Sequence, residues 1–121
     1  MMERVSVLPD ELVGLFVAEV GVRQAWPFLQ FCDNNATPAR EVRLYLDSPF
    51  EVGPPDAVPT RADPVDRLLK VNNLPVDHVR REGLRLAIDF AGGTSLVISG
   101  EPSPTTTGDV WWLSPWLEVG S

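Results

Sequence analysis

His78 and Cys32 are the only histidine and the only cysteine in the chain. A Ser-His-Asp or Cys-His arrangement would therefore have to use His78. Such chemistry needs a nucleophile within hydrogen-bond reach of its base, with the base oriented by a third group. No nucleophile elbow lies near His78, and the two residues occupy non-equivalent places in the pattern described below. A packed cysteine and a strand-surface histidine are the ordinary readings of the pair. One Cys and one His cannot build a structural zinc site, and no EF-hand loop is present. Asp33 and Asp63 have loop and helix-cap explanations. Ala91-Gly92-Gly93 has no following helix or lysine, so it reads as a hairpin turn and not a phosphate loop. The sequence therefore predicts no catalytic, cofactor-binding or metal-binding residues.

The residues best suited to a function are aromatic and near the C-terminus. Along Val110-Trp-Trp-Leu-Ser-Pro-Trp116-Leu-Glu-Val119, strand alternation puts Val110 and Trp112 on one face and Trp111 and Leu113 on the other. Both faces are apolar, so this strand is either sandwiched inside the domain or covered by another chain. Tryptophan is enriched at interaction hot spots. Trp111, Trp112, Trp116 and Leu117 are the candidate partner-binding residues, with Trp116 the surface anchor and closure of the core the competing role for Trp111 or Trp112.

Charge narrows the partner. Ten basic and seventeen acidic residues give a net charge of -7, which disfavours nucleic acid, whose phosphates are neutralised by Lys and Arg. An anionic membrane surface is disfavoured for the same reason, whereas opposite charge speeds encounter with a basic protein. The single Cys32 excludes an internal disulfide and suits a reducing compartment. The N-terminal residues lack a basic stretch followed by an apolar run, and no apolar stretch reaches membrane-spanning length, so a cytoplasmic protein is expected.

The elements that must position these residues follow from an internal echo. Leu15, Val17, Val20, Leu29 and Phe31 are each followed, fifty-nine positions on, by Leu74, Val76, Val79, Ile88 and Phe90. After a loop that is five residues shorter in the second copy, Val42, Leu44 and Asp47 match Leu96, Ile98 and Glu101. The spacing Val17-x-x-Val20 breaks two-residue alternation, and Val76-x-x-Val79 breaks it identically, so a β-bulge is predicted in both strands. The strand 26–32 pairs with 41–47, placing Val42, Leu44 and Leu46 inward. A three-residue loop at 91–93 pairs Ile88 with Leu96 and Leu86 with Ile98, which keeps the large apolar groups on one face.

One helix of about ten residues is predicted over 63–72. Asp63 caps it, Pro64 suits its first turn, and Val65, Leu68, Leu69 and Asn72 form its apolar stripe. Asn72-Asn73 supplies a left-handed cap, and Pro75 forbids continuation. Pro9–Gly14 reads as an abbreviated version of the same device, with Gly14 aligned on Asn73. The proline-rich stretch 48–60 is predicted to be a surface loop without regular structure.

This order of elements resembles a family of small bacterial proteins of unknown function built from two β-meander repeats. Leu12-Val-Gly14 and the strand ending Leu44-x-Leu46-Asp47 are similar to its first half. Leu68-Leu69 and Leu84-x-Leu-x-Ile-x-Phe-x-Gly-Gly-x-x-Leu96-x-Ile98 are similar to its second. The resemblance implies a fold and no activity. The reading is one α+β domain over 1–121: two pseudo-repeated antiparallel β-meanders, about 9–52 and 63–113, one main helix packed on the sheet, and a Trp-rich tail over 110–121. Its expected function is non-enzymatic protein binding, in the manner of an immunity protein, inhibitor or adaptor, or homodimerisation through the tail. The alternative is a small-molecule-binding or weakly enzymatic domain with a pocket between the two units.

Overall fold

Alternating apolar side chains lay down two antiparallel β-meanders in succession. The computed structural model describes residues 7–33, 39–54, 63–102, 104, 106 and 108–119. The first meander is β1 (Phe16–Arg23), β2 (Trp26–Cys32) and β3 (Ala39–Leu46), followed by β4 (Phe50–Gly53). A short helix α1 (Pro64–Leu68) precedes the second meander, β5 (Val76–Glu82), β6 (Arg85–Phe90) and β7 (Ser95–Ile98). Two further strands, β8 (Trp111–Leu113) and β9 (Leu117–Val119), close the chain.

Each meander is completed by the strand that follows the other. β4 leaves the first meander and pairs antiparallel with β7, so the second sheet runs β4-β7-β6-β5. β8 leaves the second meander and pairs with β3, giving β1-β2-β3-β8, and β9 extends the same edge by pairing with residues 39–41. Neither sheet is whole without a strand from the other half. The β4 strand corrects the expectation of an irregular connection: Phe50 and Val52 alternate inward between prolines 49 and 54, enough for a short edge strand. The remainder of that connection, from 55 to 60, lies outside the described residues, as do residues 34–38 of the β2–β3 loop.

The inner faces form one continuous core. Val17, Leu29, Phe31, Val42 and Leu44 from the first sheet meet Leu86, Ile88, Phe90, Leu96 and Ile98 from the second, all at most 2% exposed. The predicted hairpin register is present: Ile88 pairs with Leu96, Leu86 with Ile98, and the Phe90 amide donates to the Thr94 carbonyl at 2.8 Å. Gly93 adopts the positive φ that a three-residue loop requires, and Gly92 before it does so too.

Both predicted bulges occur. Pairing in β1–β2 jumps from Val17–Phe31 to Glu19–Gln30, and in β5–β6 from Val76–Phe90 to His78–Asp89. Where β1 and β5 begin, they bond to one another around the Phe16–Pro75 bridge. Gly14 N donates to Val76 O at 2.9 Å and Asn73 N to Val17 O at 2.8 Å; Val76 N donates to Leu15 O at 2.8 Å and Val17 N to Leu74 O at 3.1 Å. Gly14 and Asn73, the residues ahead of these strands, have φ of 89° and 69°.

The helical segment differs from expectation in length and winding. α1 has five residues and tightens into a 3-10 turn at Leu69–Val71. Asp63 caps it, accepting from Val65 N at 3.0 Å. Because a 3-10 turn repeats every three residues, the buried stripe becomes Leu68 and Val71. Leu69, expected inward, is 48% exposed. A matching 3-10 turn, Pro9–Leu12, precedes β1 and buries Leu12.

Candidate functional site

Inward packing of Leu29, Leu44 and Leu113 forces their strand neighbours to the opposite face. Cross-strand register then assembles one row, Gly21–Phe28–Tyr45–Trp112, running across β1, β2, β3 and β8. Tyr45 and Trp112 stack, with centroids 5.2 Å apart and planes 16° from parallel. Phe28 meets Tyr45 at 5.7 Å, and Trp26 stands edge-on to Trp112 at 5.3 Å and 82°. Four aromatic side chains thus form a contiguous cluster on the outer face of the first sheet. Phe28 is almost fully covered although it points away from the core. Its ring lies over Gly21, where an added Cβ would come within 2.8 Å of the ring, and under the Arg43 guanidinium at 4.3 Å.

The adjacent row is polar and tied together. Arg43 Nε donates to Gln30 Oε1 at 2.7 Å and Nη1 to the Tyr45 hydroxyl at 3.4 Å, while Nη2 lies 3.9 Å from the Glu19 carboxylate. The Gln30 amide nitrogen donates in turn to Glu41. Ser114 holds the row's other end, its hydroxyl accepting from Arg43 N at 2.9 Å. These bonds fix Arg43 over the aromatic row, so the surface presents half-buried rings beside a constrained guanidinium. It can dock a partner by aromatic and cation–π contact.

The second sheet's outer face is built differently. Asp89, on β6, accepts from Ser95 Oγ at 2.7 Å and from Arg80 Nη2 at 3.0 Å. Burial pushes the Asp89 carboxyl upward, but the Ser95 and Arg80 hydrogen bonds and the charges of Arg80 and His78 outweigh it. The group lies below its ordinary value. The neighbouring row is Arg80–Ala87–Val97–Glu51, without an aromatic residue.

The candidate residues of the tail separate. Trp112 belongs to the aromatic row. Trp111, one residue earlier, packs half-buried against the core, and its indole N–H donates to the Leu84 carbonyl at 2.7 Å. Trp111 also lines a groove of about 610 Å³ with Val7, Leu8, Leu84, Arg81 and Asp109. Trp116 packs partly against the core beneath the Arg40 guanidinium, 4.5 Å from the ring centre. Leu117 lies in β9 opposite Glu41, its side chain outside the described residues. Cys32 and His78 lie on different sheets, and neither lines the groove.

Trp26, Phe28, Arg43 and Tyr45 complete the site and were not among the sequence candidates. Their signal was the same alternation that placed Leu29, Phe31, Val42 and Leu44 inward, since it leaves these four on the outer side. Among the described residues, no group of three or more His, Cys, Asp or Glu is arranged to hold a metal ion, and no helix is long and apolar enough to cross a membrane. No protein-family model matches the chain, and neither a curated protein nor a solved structure matches it. The resemblance to two-meander bacterial proteins rests on its residue pattern alone.

Proposed function

We propose that the chain is a non-enzymatic protein-binding module whose contact surface is the outer face of the first sheet. The observation that carries this reading is the contiguous row of Phe28, Tyr45 and Trp112, flanked by Trp26 and set beside the fixed Arg43. Aromatic residues and arginine are the types enriched at interface centres. The net charge of -7 suits a basic partner, and the single Cys32 suits a cytoplasmic setting.

The proposal includes a common origin for the two meanders. It is supported by the bulges at Val17/Glu19 and Val76/His78, and by four inter-strand bonds that exchange partners when every residue is moved fifty-nine positions. If the interior is a repeated frame, the outer face that is not repeated is where a specific function resides. Kinship with the two-meander bacterial proteins is part of the same reading.

Parallel affinity capture from native lysate tests the surface, with Tyr45→Ala/Trp112→Ala as the face variant and Arg80→Ala as the second-sheet control. A specific protein retained by wild type and by the control, and lost by a folded face variant, is the expected result. Equal retention by all three rejects the surface. Homodimerisation through this face is the other protein-binding outcome, and light scattering on wild type and the face variant identifies it. The small-molecule reading is favoured by one observation, the groove beside Trp111, whose walls are mostly apolar. Stabilisation by apolar ligands, abolished by Leu84→Asp, would support it.

A further inference from the structure

The groove beside Trp111, about 610 Å³ in volume, lies between the tip of the β5–β6 hairpin, the segment ahead of β1 and strand β8. Its walls are mostly apolar. Val7 and Val110 are buried, Leu113 is half-buried, and Leu8 and Leu84 are 62% and 55% exposed. Two of the five large apolar side chains that stay exposed among the described residues thus line one concavity. One wall is clamped in place. The Leu84 carbonyl accepts from the Trp111 indole at 2.7 Å, and a Cβ on Gly100 would come within 2.4 Å of the Leu84 backbone.

A cation is built into this apolar lining. Arg81 pairs across strands with the fully buried Leu86, which puts both on the inner side of the sheet. Fifty-nine positions earlier the first meander has an apolar residue, Val22. Arg81 Nε donates to the Gly83 carbonyl at 2.9 Å, and the guanidinium lies 5.1 Å from the Trp111 ring centre. Among the described residues, nothing bonds its two terminal amino groups. Their N–H groups form the fork that meets a carboxylate's two oxygens side by side. Asp109 is the other charged residue on the lining, exposed and with nothing among the described residues holding its carboxylate. Arg81 is already held on two sides, so engaging a ligand costs it less freedom than it costs Asp109. A neutral hydrocarbon would cover the guanidinium without offering it an acceptor. A small polar anion would gain nothing from the apolar walls.

We infer that the Trp111 groove binds an apolar monocarboxylate, with its carboxylate on Arg81 and its hydrocarbon chain along Leu8, Leu84 and Val110. The volume falls within the ordinary span of small-molecule pockets, about 300–1,000 Å³. This assignment rests on the small-molecule reading of the groove and is independent of the aromatic face. The two can fail separately, since an uncharged chain tests the groove and a carboxylate tests Arg81.

Octanoate, 1-octanol and octylammonium are titrated separately into the full-length protein at neutral pH and constant ionic strength, with the indole N–H resonances as readout. Octanoate is expected to shift Trp111 saturably, leaving Trp26 and Trp112 unmoved, and to bind at least about tenfold more tightly than octanol. Octylammonium is expected to bind most weakly of the three. Arg81→Gln is expected to lower octanoate affinity to that of octanol while octanol binding is unchanged, which also shows that the groove is intact. Octanoate affinity unaltered by Arg81→Gln overturns the assignment. So does octylammonium binding as tightly as octanoate, which would give the preference to Asp109. Equal binding of octanoate and octanol by the wild-type protein, a contrast that needs no variant, keeps an apolar groove and rejects the carboxylate. No saturable shift at Trp111 with any of the three rejects both.

Discussion

Phe28 and Ala87 occupy comparable places in the two sheets, each second in an outward-facing row that begins on the edge strand of its meander. The first row reads Gly21–Phe28–Tyr45–Trp112, the second Arg80–Ala87–Val97–Glu51. Directly behind them, the inner rows are nearly interchangeable, Val20–Leu29–Leu44 in one sheet and Val79–Ile88–Leu96 in the other. Cross-strand register thus aligns Leu44 with Leu96 and corrects the sequence echo, which matched Leu44 with Ile98. Packing restricts what the inner positions accept, since interiors are close to crystalline density. In the outer rows only Phe28 and Ala87 are covered as closely, and the other positions are half-buried or exposed. Four aromatics cluster on the outer face of the first sheet, against none in the second sheet's row, and the proposed function rests on that difference.

The comparison is broken most severely at its shared part. Leu29→Ala and Ile88→Ala each empty a fully buried position, and each is expected to cost about 2–5 kcal/mol in denaturant unfolding. A loss under about 1 kcal/mol at one site, well below this range, would show that the two inner rows are not equivalent. The outer rows should respond unequally. Gly21→Ala pushes a Cβ against the Phe28 ring and is expected to cost about 1–3 kcal/mol by overpacking. Arg80→Ala removes a largely exposed ion pair with Asp89, for which about 0–1 kcal/mol is expected.

A pH titration separates the faces further. The folded-state pKa of Asp89 is depressed, so its contribution to stability is present above the ordinary aspartate pKa of about 3.9. It is lost as pH falls through the depressed folded value. Stability of wild type minus Asp89→Asn should thus be positive near neutrality and shrink in acid. A difference that grows in acid would contradict the Ser95 and Arg80 contacts. The smallest effect lies at the hairpin tips. Gln24 and Gly83 both adopt positive φ, at 57° and 61°, but only glycine does so without steric cost. Gln24→Gly is expected to stabilise by up to about 1 kcal/mol, and Gly83→Ala to destabilise by about as much. Opposite signs in thermal melts confirm the shared turn geometry.

Local features of the fold were legible because single residues dictate them. The Val17-x-x-Val20 and Val76-x-x-Val79 breaks announced the bulges, the apolar alternation on either side of Ala91–Gly93 set the β6–β7 register, and Asn73 ahead of Pro75 marked the end of the helical segment. The exchange of β4 and β8 between sheets was not legible. These strands have four and three residues, and so short an edge strand carries no sequence signal for which free edge it joins. The shortened helix had the same kind of cause, for Leu68 and Val71 fit a three-residue repeat that Leu69 obscured. Of the aromatic row, Trp112 was a candidate from the sequence, whereas Phe28 and Tyr45 were given no role. An aromatic residue on an outer strand face gains meaning only when register brings others beside it.

Once a partner is in hand, backbone and indole chemical-shift mapping of the complex tests the central claim most directly. Perturbations concentrated at Trp26, Phe28, Arg43, Tyr45 and Trp112, with Asp89 and Val97 unmoved, are the predicted result. A footprint centred on the second sheet, or on the groove at Leu8 and Leu84, would contradict it.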